Sequence, residues 1–187
     1  MNSKRIAVYA LLTALVAVAT YAIRIPMPAT DGYVNLGDAF VLFCGVVFGP
    51  VAGVVAGGVG SALADLVGGY AHWILPTFLI KGAEGALAGG LFFLFKRSGL
   101  QRFFAAGISS FIGAIWMVVG YFFASWIMKG SAAVAWTSVP GNAAQGGVGV
   151  VLSLAILFAT AKIRNLSSLV GKNQFYDLPK PKDTDGE

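Results

Sequence analysis

Apolar residues run along this chain in six stretches, at 6–24, 36–49, 51–70, 76–95, 103–127 and 139–161, parted by short polar or glycine-rich breaks. A helix needs roughly 20 apolar residues to cross the hydrocarbon core of a bilayer, within a range of about 17–25. The stretch 36–49 is short for a full crossing; it either leans on its polar start at Asn35 or is partly re-entrant. The others are long enough. The pattern predicts an all-α integral membrane domain of six transmembrane helices over 1–165, then a polar, partly disordered cytoplasmic tail over 166–187. The first run follows Lys4 and Arg5 and contains Ala17-Val18-Ala19, which imitates a signal peptide. It is long for that role and further apolar runs follow it, so it reads as a span.

Composition agrees: mean hydropathy is +0.78 and only 11% of residues are charged. The single cysteine, Cys44, excludes an intrachain disulfide and cysteine-based metal motifs. No phosphate-binding P-loop, Gly-x-Ser-x-Gly elbow or His-Glu-x-x-His is present, so the chain carries no ATPase, serine hydrolase or zinc protease motif. Nor is there an inverted internal repeat of the kind expected in a self-sufficient secondary transporter.

Positive residues favour cytoplasmic loops. With six spans both termini share one side, and that side collects Lys4, Arg5, Lys96, Arg97, Arg102, Lys162, Arg164, Lys172, Lys180 and Lys182. Only Arg24, Lys81 and Lys129 belong to the other side or the spans near it. Both termini are therefore predicted to be cytoplasmic. The basic balance reflects topology; no basic stripe with interleaved aromatics points to nucleic acid.

This topology gathers the intramembrane polar groups at one depth. Asp38 starts span two and Asp65 nears the outer end of span three. Lys81 and Glu84 lie early in span four, Tyr121 in the outer half of span five, and Asn142 and Gln145 early in span six. Ionisable groups inside spans are expensive and mark functional sites by default. Their common depth predicts a polar pocket open to the outside, roofed by the loops 25–35 and 70–76. Simpler roles exist for each. Lys81 and Glu84, three apart on one helix face, also suit a structural ion pair. Asp38 also suits a helix N-cap, Asp65 a snorkelling interface residue, and Asn142, after Pro140-Gly141, a shaper of helix entry. His72 and Trp73 suit either an interfacial anchor or part of a lid. One histidine without ligand spacing makes no metal site.

Small residues recur at spacing four: Gly53, Gly57 and Ser61 in span three, Gly85 and Gly89 in span four, and Ala10 and Ala14 in span one. Such ridges let membrane helices approach closely. The span-three and span-four ridges read as internal packing; the alanine face of span one serves either internal packing or a partner.

The blocks Asn35-Leu-Gly-Asp38, Phe48-Gly-Pro50, Gly57-Gly-Val-Gly-Ser-Ala-Leu-Ala-Asp65 and Lys81-Gly-Ala-Glu-Gly85 together resemble the S-components of energy-coupling factor (ECF) vitamin transporters. The likeness covers roughly residues 5–165 and is to the riboflavin-, pyridoxine- and hydroxymethylpyrimidine-type subgroup. It implies a six-helix subunit of the bacterial cell membrane that captures a vitamin from outside and topples to deliver it. Its partners would be a transmembrane coupling subunit and two cytoplasmic ATPases. Ala10-x-x-x-Ala14 matches the family's docking motif, and the loop Pro26–Val34, with Tyr33, corresponds to the gate. The expected substrate-binding residues are Asp38, Asp65, His72, Trp73, Lys81, Glu84, Tyr121, Asn142 and Gln145, with no cofactor, no metal and no catalysis by the chain itself. Several polar groups of both signs suit a small heteroaromatic. Vitamin B6 is placed first, the pyrimidine precursor of thiamine next, and riboflavin remains open. Two other classes compete. One is a membrane enzyme using Mg²⁺ on Asp38, Asp65 and Glu84; the other is a structural or channel-forming oligomer built on the glycine ridges.

Overall fold

Each apolar run closes its backbone hydrogen bonds within itself, the requirement for backbone that faces lipid. The structure, a computed structural model, describes residues 3–160. Six main helices result: α1 (Ser3–Ala22), α2 (Gly37–Phe48), α3 (Pro50–Gly68), α4 (Ile74–Arg97), α5 (Arg102–Lys129) and α6 (Val139–Thr160). The stretches holding α1, α3, α4, α5 and α6 are long and apolar enough to cross a membrane. The tail expected over 166–187 lies outside the described residues.

The short second run is resolved by its surroundings. From Ala39 to Phe48 it is apolar on every face, and all of its residues except Phe40 are buried. The other helices wrap around it: α1 packs on α3, α3 on α4, α4 on α5 and α5 on α6, and α2 touches each of them. A helix of 12 residues is about 18 Å long, too short for the hydrocarbon core. It needs no greater length, because protein rather than lipid surrounds it. Gly49, at φ 94°, then reverses the chain into Pro50 at the start of α3.

The glycine ridges make the centre tight. A methyl placed on Gly85 would lie 2.5 Å from the Gly53 carbonyl oxygen, and one on Gly89 would lie 2.5 Å from that of Gly45. Helices α2, α3 and α4 therefore touch backbone to backbone. Helix α3 also carries a π-helical segment at Val54–Val59, beside α4. The Ala10–Ala14 face is different: both residues are exposed, so it is not internal packing.

Polarity is inverted relative to a water-soluble protein. Leu11, Val67, Leu75, Ile127, Val151 and Phe158 are exposed, while Asp38, Asp65, Lys81, Glu84, Asn142 and Gln145 are buried. Between α1 and α2 the sequence reading expected only a loop. Instead Arg24–Met27 (β1) and Gly32–Asn35 (β2) pair as an antiparallel hairpin, with Arg24 opposite Asn35 and Met27 opposite Gly32.

Candidate functional site

The hairpin lies over one end of the bundle and covers a cavity of about 420 Å³, counting its open mouth. Met27, Thr30, Gly32, Tyr33 and Asn35 line it from the hairpin. Thr20 comes from α1, Ser61 and Asp65 from α3, Thr77 and Lys81 from α4, Tyr121 and Ser125 from α5, and Asn142 from α6. Trp73 and Ser138 enter from the turns before α4 and α6. Every main helix except α2 thus contributes, and all do so at one end, as the depth argument required.

Three aromatic side chains shape the cavity. Trp73 and Tyr121 meet edge to face at 5.7 Å between ring centres. Tyr33 reaches from the hairpin and donates its hydroxyl to Asp65 Oδ1 at 2.6 Å. Burial pushes the Tyr33 phenol above its usual range, and the Asp65 carboxylate adds to the shift, so the phenol remains a donor. Tyr33 also packs on Tyr70 at 4.6 Å, and the Arg24 guanidinium stacks 4.2 Å from the Tyr21 ring centre at the hairpin's base.

Asp31 secures the hairpin's tip. Its carbonyl oxygen accepts from Trp73 Nε1 at 3.0 Å and lies 3.2 Å from His72 Nε2; its carboxylate pairs with Lys129 at 2.5 Å. The Lys129 ammonium holds the Asp31 carboxyl below the usual carboxylate range. A depressed carboxylate stabilises this contact above the ordinary aspartate range and loses that contribution only as pH falls through the lowered value. The Asp31 carboxylate therefore stays ionised near neutral pH.

Behind the cavity wall stands a second polar layer. Lys81 Nζ donates to Asp38 Oδ1 and, at 3.0 Å, to Glu84 Oε2. Gln145 Nε2 donates to the same Asp38 oxygen at 3.0 Å, and its Oε1 accepts from the Asn35 backbone N–H at 2.6 Å. The polar layer beneath the cavity is thereby tied to the base of the hairpin.

Of the residues expected from sequence, Tyr33, Asp65, Trp73, Lys81, Tyr121 and Asn142 line the cavity. Asp38, Glu84 and Gln145 do not; they support Lys81 from behind. Asp38 makes no side-chain cap to α2, and Asp65 is buried rather than snorkelling. His72 does not line the cavity either. The single 3₁₀ turn Ala71–Trp73 advances about 120° per residue, which turns Trp73 inward and leaves His72 exposed. Thr20, Ser61, Thr77 and Ser125 were not expected, because small hydroxyl residues inside apolar helices look like packing; nor were Thr30 and Ser138, which sit in turns. Four of the cavity's buried polar atoms, Thr20 Oγ1, Ser61 Oγ, Asp65 Oδ2 and Ser125 Oγ, have no hydrogen-bond partner among the described residues. Such atoms are uncommon in folded proteins and each calls for a partner from outside the chain. Among the described residues no cluster of three or more His, Cys, Asp or Glu side chains could hold a metal ion.

Comparison with known proteins agrees with this architecture. The family model of the ECF-type riboflavin transporter S component matches residues 1–162. An uncharacterized Pyrococcus woesei protein encoded in a gap 3′ region is 38% identical over 148 residues, covering 75% of this chain and 96% of its own length. The thiamine precursor transporter HmpT of Lactococcus lactis subsp. cremoris (strain MG1363) is 29% identical over 130 residues, covering 69% of this chain and 71% of its own. The solved S component of a bacterial ECF transporter superposes with a TM-score of 0.65 at 18% identity, covering 86% of this chain and 97% of that one, and so shares the fold. The chain belongs to the ECF-type riboflavin transporter S-component family and is a multi-pass membrane transport subunit, not an enzyme.

Proposed function

We propose that this S component captures a single-ring heteroaromatic vitamin or precursor in the cavity beneath the hairpin. The observation that carries the reading is the set of buried, unpartnered hydroxyl and carboxylate oxygens around a space bounded by Tyr33, Trp73 and Tyr121. Aromatic faces hold a planar ring, and hydroxyls hold its polar edge. Pyridoxine and the hydroxymethylpyrimidine precursor of thiamine both fit that description. The Lactococcus relative, a thiamine precursor transporter, moves the pyrimidine ahead of vitamin B6. Charge asymmetry supports placing the hairpin end outside and both termini in the cytoplasm.

The hairpin then acts as the gate, with Tyr33 as its catch. Tyr33→Phe removes the bond to Asp65 and should speed ligand release by roughly tenfold, read by stopped-flow tryptophan fluorescence. An unchanged release rate would mean that Tyr33 does not hold the gate. Delivery would need a transmembrane coupling subunit, docked on the exposed Ala10–Ala14 face, and two cytoplasmic ATPases. Ala10→Trp should spare ligand binding and abolish uptake by the assembled transporter; full uptake would remove docking from this face.

Mass spectrometry of the small molecule that co-purifies with the membrane-extracted chain tests the substrate reading. A single-ring pyrimidine or pyridine alcohol is expected. A flavin, visible by its yellow absorption, would overturn the single-ring assignment while leaving the transport role intact.

A further inference from the structure

The buried carboxyl groups at this end of the bundle outnumber the cationic ones. Asp38, Asp65 and Glu84 are carboxylates, and Lys81 is the one ammonium within reach of them among the described residues. Arg24 is engaged with the tyrosines at the hairpin's base, and Lys129 with Asp31 at its tip; neither lines the cavity. Lys81 lines the cavity but donates to both Asp38 and Glu84 behind it, so its charge is already engaged. Asp65 is left facing the cavity with Oδ1 held by Tyr33 and Oδ2 without a partner, in a side chain that is 2% exposed. A carboxyl oxygen buried this way demands a hydrogen-bond donor.

We propose that the cavity selects ligands that present a nitrogen-borne proton or positive charge to Asp65 Oδ2, and that it excludes phosphate esters, with Lys81 acting as an internal counter-ion and not as an anion receptor. This rests on the substrate reading above and narrows it: an exocyclic amino group on the ring is the element recognised, and the free alcohol, not its phosphorylated form, is the form taken up. A phosphate would meet the acceptor oxygens of Asp65 in a buried site where Lys81 is already engaged by two carboxyls, at a cost no free cation among the described residues offsets. A 4-amino substituent would supply the donor that Asp65 lacks, and rejection of an analogue without it follows because the carboxylate is again left unpaired.

The test compares matched ligands on the full detergent-solubilised chain by calorimetry. The probes are 4-amino-5-hydroxymethyl-2-methylpyrimidine, its analogue without the amino group and its phosphate monoester, with pyridoxine, riboflavin and their 5′-phosphates alongside. Loss of the amino group should weaken binding by about tenfold or more. Phosphorylation should weaken it on the order of a hundredfold or more. Asp65→Asn, checked for folding by thermal unfolding, should remove most of the preference for the amino compound. The comparisons on the parent protein stand whether or not the variant folds. A phosphate ester that binds as well as its alcohol, or an analogue without the amino group that binds as well as the parent ligand, would overturn the proposal. If riboflavin binds and the pyrimidine does not, the ring assignment and amino-group recognition fail, while the flavin pair still reads anion exclusion separately. Failure of every probe on folded protein would overturn the proposal and the substrate reading together.

Discussion

Lys81→Met is expected to destabilise the protein by about 3–5 kcal/mol, the usual consequence of removing one partner from a buried ionic cluster. Lys81 is 1% exposed, and the two carboxylates it holds, Asp38 and Glu84, are both 0% exposed. Each already has one oxygen without a partner, Asp38 Oδ2 and Glu84 Oε1. Methionine fills nearly the same volume, so the loss is electrostatic rather than a cavity. Adding Glu84→Gln to the variant should recover part of the loss, because one unpaired charge is then removed. Thermal unfolding in detergent checks both. An Lys81→Met protein as stable as the parent would mean that the cluster is not an ionic network at all.

The second large effect falls on a residue with no side chain. Gly85→Ala is expected to cost about 3 kcal/mol or more and to weaken ligand binding with it. Its new methyl would meet the Gly53 carbonyl oxygen at 2.5 Å, the Gly53 carbonyl carbon at 2.7 Å and its Cα at 2.8 Å, all backbone atoms that cannot turn aside. Gly85 also lies against Gly45 of α2, so pushing it off α3 disturbs the stretch of α4 that brings Lys81 and Glu84 to Asp38. Gly90→Ala is the internal control on the same helix, since nothing lies within 4 Å of a methyl there. It should be neutral or stabilising by up to about 1 kcal/mol, the intrinsic helix preference for alanine. Equal effects at the two positions would mean that close approach to Gly53 is not the reason for the glycine at 85.

The sequence carried the helices and the depth of the polar groups because lipid imposes a simple rule on each run of residues. Lys81 with Glu84 was legible for the same reason: a spacing of three puts both on one helix face. The part played by Asp38 was not, because its contact with Lys81 spans 43 positions and depends on how α2 is enclosed. The hairpin escaped notice because its strands are four residues each, with Pro26 inside the first, and gain their order from Asp31 bonding to Trp73 and Lys129. Thr20, Ser61 and Ser125 look like ordinary small residues of an apolar helix. Only the packed structure separates a hydroxyl that faces a neighbour from one that faces a cavity.

The central claim is that the isolated chain binds a small heteroaromatic beneath the hairpin, without ATP and without its partners. Calorimetric titration of the purified protein with hydroxymethylpyrimidine, pyridoxine and riboflavin, each alone, tests it most directly. Saturable binding of a single-ring ligand with a Kd below about 1 μM, weakened in Asp65→Asn and kept in Ala10→Trp, is the predicted result. Folded protein that binds none of the three, or that binds one equally well with Asp65 replaced, would contradict the account.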